Sequence, residues 1–288
     1  MAVEKQIWID VIKENYYPDR SFLKRSVDMS SLVEHNTINL AEAGVDPNVL
    51  VDNKVYPVPT ADRKDTPLSL PLHTFDTENT VVRNVEEMET AYDKMASVTR
   101  SHKNALYKKT ATYAAANWAP AKNGDLTPVV KTTGDVNKQG HKAITFDDLL
   151  NLQARFLAMD VDPSALVLVL NPFHLVDLQL QDIKLYKTMI QTKDLWGMDF
   201  YTFSQLPYYT VASGEKVTWG TAATAADTQC SLIYCEDEVM RAEGDTEMFV
   251  NYKVPAERGD VIGFQQRFTA LPIRGKYTAA IYSDKAGS

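Results

Sequence analysis

The feature that most constrains the fold of this chain is a long segment without helix breakers, preceded by a segment rich in them. Neither Gly nor Pro occurs between Leu72 and Ala119, and apolar residues recur every three to four positions from Val85 to Tyr113. This spacing predicts one long helix that begins near residues 80–84, with glutamates in its first turns where the helix dipole favours carboxylates. About thirty residues at roughly 1.5 Å each give a rod on the order of 45 Å long.

The apolar face of this helix differs from a coiled-coil seam. Thr99, His102 and Lys109 occupy positions on that face where a two-stranded coiled coil requires apolar residues. We therefore expect the helix to lie across a sheet.

The segments ahead of the helix are an arm and an extended hairpin. Residues 1–30 have mixed charge and indicate an arm rather than a domain. Residues 31–80 hold short alternating apolar runs interrupted by turn residues that permit strands but little helix: Gly44, Pro47, Pro57, Pro59, Pro67 and Pro71. The run 56–67 is too polar to bury itself, so it is either a disordered linker or a loop ordered by another chain. The strand-like runs on both sides favour the second alternative.

The second half of the chain predicts mixed helices and strands. Thr145 is a suitable N-cap for a helix at 146–159, with Asp148 three residues later. The apolar run 165–170 predicts a strand buried on both faces, and 173–189 predicts a further helix. Further strands are expected at 200–203, 231–235, 239–242, 248–252, 261–269 and 277–282. The order indicates an α+β protein.

Composition excludes several classes of function. The net charge is -8 and the charges are mixed along the chain, so we expect no sequence-specific binding to DNA. Cys230 and Cys235 would point to opposite faces of a strand, which predicts buried free thiols rather than a disulfide. No signal peptide or membrane span is recognisable, so we expect a protein made in the cytosol without a membrane association.

The sequence lacks the strong motifs of catalysis. The five histidines are scattered through different segments, and none is spaced as a metal ligand beside Cys or another His. Three carboxylate clusters could hold a metal or share a proton, although helix N-termini and turns explain them more simply: 147–148, 160 with 162, and 236–238. We therefore expect no enzyme, no catalytic residue, no metal and no cofactor.

The order of these parts, together with several short runs, is similar to that of a known family. The runs are TINLAEAG at 37–44, NKVYP at 53–57, RKD at 63–65, FDTEN at 75–79 and ETAYDK at 89–94. They resemble the extended-loop and spine-helix region of the major capsid protein of tailed bacteriophages, which has the Hong Kong 97-type capsid fold. The resemblance covers most of the chain.

The resemblance implies a division of the chain into four parts. Residues 1–30 would be an N-terminal arm and 31–80 an extended β-hairpin loop. Residues 81–144 with 246–288 would form a peripheral domain that contains the spine helix, and 145–245 an axial domain. An exposed hairpin with little core is stabilised when it lies over a neighbouring subunit, which agrees with this assignment.

The resemblance also implies a function in assembly. The chain would form pentamers and hexamers of an icosahedral shell that encloses double-stranded DNA without reading its sequence. Copies of the chain, a separate scaffolding protein and a portal are the expected partners, and a decoration protein is left open. The chain would be made in the bacterial cytoplasm and end in the virion capsid. Nothing marks an isopeptide cross-link, so we expect non-covalent locking.

Charged residues of the loop tip and the arm are the expected contacts to neighbouring subunits. They are Asp62, Arg63, Lys64 and Asp65 in the loop and Arg20, Lys24 and Arg25 in the arm. Two alternatives remain open at this point. One is an encapsulin-like compartment or another binding module on the same fold, and the other is a soluble enzyme that uses one of the carboxylate clusters.

Overall fold

A computed structural model describes residues 22–34, 37–42, 54, 57 and 66–285, with side chains described for all of these except 34, 39–42, 66–69 and 84–97. Within these residues the strands form three sheets, two of them large. Helices and strands are mixed along the chain, so the predicted α+β class is confirmed.

The first sheet is built around a long antiparallel hairpin of β13 (Val239–Val254) and β14 (Gly259–Pro272). Three short strands complete it: β1 (Val27–Asp28), parallel to β13, and β5 (His73–Asp76) and β6 (Thr80–Arg83), both antiparallel to β14. The separate strands predicted at 239–242 and 248–252 are one continuous strand. Its pairing shifts register between Glu243 and Thr246 and so spans the polar residues that suggested a break.

The predicted long helix is α1 (Asn84–Trp118), which begins directly after β6 and has 35 residues. It lies on the first sheet, as expected. The ring of His102 is 5.1 Å from that of Phe264, and the indole N–H of Trp118 donates to the carbonyl of Met240 at 3.2 Å. Its C-terminal half supplies alanines, Tyr113 and Trp118 to a core shared with β13 and β14.

The second sheet has seven strands. They are β7 (Val129–Lys131), β8 (Leu166–Leu170), β9 (Asp194–Leu195), β10 (Met198–Thr202), β11 (Tyr208–Thr210), β12 (Asp227–Cys235) and β15 (Thr278–Tyr282). Six of these strands lie in the order β7, β15, β12, β8, β10, β9, and β11 pairs with β12. All five residues of β8 are buried, as predicted.

Side chains of β8 alternate between two cores. Val167 and Val169 face the core that contains the end of α1, whereas Leu166, Leu168 and Leu170 face a second core covered by helices. Cys230 and Cys235 are free and buried and belong to different clusters, which confirms the prediction for the thiols.

Three helices cover the second core: α2 (Phe146–Leu157), α3 (Pro172–Gln181) and α4 (Ile183–Thr192). Thr145 and Asp148 form the predicted capping box at the start of α2. The single helix predicted at 173–189 is wrong, because Asp182 has an extended backbone. Its carboxylate instead accepts hydrogen bonds from the backbone N–H groups of Lys184 and Leu185 and caps α4.

The third sheet is the base of the predicted hairpin. It consists of β2 (Val33–Glu34), β3 (Thr37–Glu42) and β4 (Thr66–Pro71), all antiparallel. Ile38 is fully buried, and the β3–β4 pairing extends as far as Glu42 opposite Thr66. The chain between these two residues, 43–65, therefore connects the far ends of the hairpin.

Candidate functional site

The last part of the N-terminal arm is attached to the core between the two large sheets. Phe22 lies edge-on to Trp118 with ring centroids 6.0 Å apart, and its ring is 5.3 Å from that of Phe203. The hydroxyl of Tyr234 donates to the carbonyl of Phe22 at 2.8 Å. Phe22 is therefore held in the core through both its ring and its carbonyl.

Arg241 of β13 fastens the backbone of the arm. Its guanidinium is largely buried and donates to the carbonyls of Leu23 at 2.8 Å and Ser26 at 2.9 Å. It also pairs with Asp28 at 2.9 Å. Burial opposes ionisation of Asp28, but hydrogen bonds from Ser30 and the charge of Arg241 outweigh it and lower the pKa of that carboxyl. The role of Arg241 was not predicted, although a cation inside the apolar run 239–242 is a signal of a buried, partnered charge.

Arg25, a predicted contact to a neighbouring subunit, makes ion pairs within its own chain. It lies 3.0 Å from Glu236 and 3.2 Å from Asp199, two residues of the second sheet region. Burial raises the pKa of the Glu236 carboxyl, and the charge of Arg25 opposes that rise. Arg25 therefore has a structural role that does not require a second copy, and its role between subunits stays a prediction.

The other predicted contact residues divide into two groups. Lys24 is exposed at the end of a short 3-10 helix, Phe22–Lys24, so it is accessible to a neighbour. Arg20 and the loop residues Asp62, Arg63, Lys64 and Asp65 lie outside the described residues.

One carboxylate of each cluster has a structural partner. The Asp148 carboxylate accepts hydrogen bonds from the backbone N–H of Thr145, the N-cap of α2, at 3.0 Å and from the Thr133 hydroxyl at 2.6 Å. The Asp162 carboxylate accepts one from the Ser164 N–H at 2.9 Å, which lowers its pKa, and the buried Glu238 pairs with Arg274. In the described part of the chain, no three His, Cys, Asp or Glu side chains come together as metal ligands.

One buried histidine lies beside two serine hydroxyls, and the geometry favours a structural role for its ring. His174 of α3 has Nδ1 2.8 Å from the hydroxyl of Ser231 and Nε2 2.8 Å from that of Ser283. Because both ring nitrogens are occupied by serines, the ring has no position for the carboxylate that would orient it in a catalytic triad. Burial lowers the pKa of His174 to about 3, so the ring is neutral near pH 7.

A cleft of about 440 Å³ lies between α1 and the β5–β6 turn. His102 is buried in its wall, and its Nε2 has no hydrogen-bond partner within the described residues. At the rim, Asp76 accepts a hydrogen bond from the Gln265 amide at 2.6 Å. Burial lowers the pKa of His102, so the ring favours its neutral form. The cleft combines one neutral ring with carboxylates at its edge and presents no paired nucleophile and base.

The end of α1 is joined to the second sheet by Lys216. Its ammonium donates to the carbonyls of Ala116 at 2.6 Å and Ala119 at 2.5 Å, where the helix dipole favours a cation. The hydroxyl of Tyr209 donates to the carbonyl of Pro120 in the same place. This contact was not predicted from the sequence, because it joins residues about 100 positions apart.

Among the helices that the structure describes, none has the length and apolar character needed to cross a bilayer.

Comparison with known proteins gives matches at the level of structure. No protein-family model matches the sequence, and no curated protein matches it either. The capsid structure of the cyanophage P-SCSP1u matches with a TM-score of 0.62 and 15% identity, over 90% of this chain and 86% of that one. The mature capsid of bacteriophage PhiM1 matches with a TM-score of 0.63 and 11% identity, over 92% and 87% of the two chains.

A virus-like particle also matches. The virus-like particle from Pyrococcus furiosus has a TM-score of 0.57 and 11% identity, and the match covers 96% of each chain. Identities this low carry information on the fold alone. The fold is the one that the short runs of the sequence predicted, and this chain therefore has the Hong Kong 97-type capsid fold.

Proposed function

We propose that this chain is the major coat subunit of an icosahedral bacteriophage shell. The observation that carries the proposal is the match of nine-tenths of the chain to subunits of capsids. The arrangement of the arm and the hairpin supports it. A subunit whose arm and hairpin loop lie on its neighbours gains the burial that its own core does not supply.

The proposed parts follow the sequence analysis, with an adjustment drawn from strand pairing. The arm remains 1–30 and the extended loop 31–80. The peripheral domain was assigned 81–144 with 246–288, and the axial domain 145–245. Because β7 and β15 pair with each other and β15 with β12, we place both in the axial domain, and we begin the second peripheral segment at Val239, where β13 starts.

The shell would consist of pentamers and hexamers and would enclose double-stranded DNA. A net charge of -8 agrees with a container that does not trap its genome, since like charges repel weakly across the inner surface. A separate scaffolding protein and a portal are the proposed partners, and the chain is proposed to be made in the bacterial cytoplasm. We propose no enzymatic activity, because His174 is bonded to Ser231 and Ser283 on both ring nitrogens and Asp148 belongs to a helix capping box.

A second candidate is a compartment that encloses protein cargo. The match to the virus-like particle from Pyrococcus furiosus favours it, since that match covers 96% of both chains. The two candidates differ in the contents of the particle and share the contacts between subunits.

The test is to purify the full chain, measure its mass by light scattering after size exclusion, and analyse the contents of any particle. Particles or five- and six-membered rings support the coat proposal, and nuclease-protected double-stranded DNA in particles made in infected cells identifies a virion. Co-purifying protein without DNA favours the compartment. A discrete compact dimer or tetramer at all concentrations contradicts both.

A further inference from the structure

Helices α3 and α4 expose a row of large apolar side chains. The exposed fractions are 58% for Phe173, 49% for Val176, 76% for Leu180 and 53% for Ile183. Phe173, Val176 and Leu180 are spaced three and four residues apart, which places them on one side of α3, and Ile183 is the first residue of α4. We call these four residues the α3–α4 stripe. The inner side of α3 is already packed, with His174 and Leu178 fully buried, so the fold does not use the stripe.

Helix α2 has a similar excess of apolar surface. Leu150 and Leu157 are 49% and 50% exposed, lie seven residues apart on one side, and have the exposed Ala154 between them. We call these three residues the α2 ridge. The opposite side of the helix carries Leu149, Leu152 and Phe156, which are buried in the second core. Single exposed apolar residues are normal, but two rows on helices that cover the same core are typical of an interaction surface.

The charges beside the two rows have opposite signs. The stripe is followed on α4 by Lys184 and Lys187, both exposed, and the Asp182 carboxylate between them and α3 is held by the backbone of α4. The ridge is bracketed by the exposed Asp147 at the start of α2 and the exposed Asp160 just after its end.

One cation of α2 lies away from the ridge. Arg155 is the next residue after Ala154 and is therefore turned by roughly 100° around the helix axis. The ridge thus presents apolar side chains with acidic ends, and the stripe presents apolar side chains with a basic end. Rows of this kind attract each other in one orientation and repel copies of themselves.

We propose that the α3–α4 stripe of one copy packs against the α2 ridge of a second copy. The inference rests on the proposed function, because it names the partner of an assembling subunit. The partner is another copy of this chain, because the stripe and the ridge, whose flanking charges have opposite signs, belong to the same sequence. Such a contact joins two different surfaces, and repeating it around an axis closes a ring when the rotation from one copy to the next divides a full turn evenly.

Each of two double variants blocks one of the two surfaces. Leu150→Glu with Leu157→Glu blocks the ridge, and Val176→Glu with Leu180→Glu blocks the stripe. The replaced side chains face away from the core, so circular dichroism and the melting temperature should change little. Each variant alone should form rings or particles roughly tenfold less than the wild type, because several apolar contacts are lost. Gln191→Glu, which adds one negative charge at an exposed polar position of α4, should assemble as the wild type does.

The mixture of the two blocked variants is the decisive measurement. Each has one intact half, so a 1:1 mixture should form a heterodimer and nothing larger through this contact, detectable by native mass spectrometry with one variant isotope-labelled. No heterodimer, or unreduced assembly by either variant alone, overturns the inference. These results leave the coat proposal standing if wild-type shells form. A wild type that never forms rings or shells overturns the coat proposal, and the mixture still decides whether the stripe binds the ridge.

Discussion

The guanidinium of Arg241 lies 2.9 Å from the carboxylate of Asp28, a residue 213 positions earlier in the chain. This pair holds the shortest strand of the first sheet, β1, beside its longest strand, β13. The same guanidinium binds two carbonyls of the arm. One side chain of β13 thereby holds residues 23–28 against the first sheet.

We expect Arg241→Ala to destabilise the protein by about 3 kcal/mol. The substitution leaves the carbonyls of Leu23 and Ser26 and the half-exposed carboxylate of Asp28 without their donor, and breaking a buried pair typically costs about 3–5 kcal/mol. Urea unfolding measures the change, and hydrogen exchange should show faster exchange at 22–28. Arg83→Ala is the control, because its ion pair with Glu257 spans 4.0 Å at the surface and should contribute little. An Arg241→Ala protein as stable as this control would contradict the assignment.

Lys216→Leu should destabilise the protein by removing the contact between Lys216 and the end of α1. The ammonium satisfies two carbonyls at the helix C-terminus, and leucine offers no donor, so a loss of about 1–3 kcal/mol is expected. Thermal unfolding of this variant can be compared with that of Lys276→Leu, which changes an exposed lysine near the C-terminal strand. Equal melting temperatures for the two variants would show that the carbonyls find other partners.

The stability of the protein should depend on pH through His174. Its folded-state pKa, lowered to about 3 by burial, lies far below the ordinary value of 6.5. Below pH 6.5 the unfolded chain binds a proton that the folded chain does not, so stability falls as the pH decreases from about 6.5 toward 3. The slope from this residue is at most roughly 1.4 kcal/mol per pH unit.

His174→Gln isolates this contribution. The variant should be less stable at pH 7, because glutamine does not reproduce the two serine contacts, yet its stability should fall less steeply between pH 6.5 and 4.5. Urea unfolding at several pH values provides both curves. Parallel curves for wild type and variant would mean that His174 becomes protonated without unfolding.

Reversal of the basic pair in the loop should impair assembly and leave the fold intact. Arg63→Glu with Lys64→Glu changes residues that lie outside the described part of the chain, and the prediction rests on their place in the polar run 56–67. Charge reversal at a contact weakens binding by repulsion. Particle yield by light scattering measures the effect, with Lys122→Glu and Lys276→Glu, at exposed positions, as the matched control. Wild-type yield from the loop variant would rule the contact out.

Local signals predicted the elements whose determinants are close in sequence. The absence of Gly and Pro indicated α1, the Thr145–Asp148 capping box indicated α2, and the continuous apolar run indicated β8. The break at Asp182 was not predicted, because the apolar spacing continues across it, although Asp is a common N-cap residue.

Contacts between segments that are distant in the chain could not be predicted from the sequence. The partners of Arg241 and Lys216 are set by the packing of the arm and of α1 against the sheets, which sequence spacing does not record. The pairing of β15 with β12 and β7 is of the same kind. For this reason the domain boundary predicted at residue 246 falls inside β13, which pairs with β14 on both sides of that residue.

The most direct test of the coat assignment is electron microscopy of particles assembled from the full chain, reconstructed without imposed symmetry. The account predicts closed icosahedral shells of pentamers and hexamers, in which residues 43–65 of one subunit lie on an adjacent subunit. A compact dimer or tetramer in which those residues contact only their own chain would contradict it.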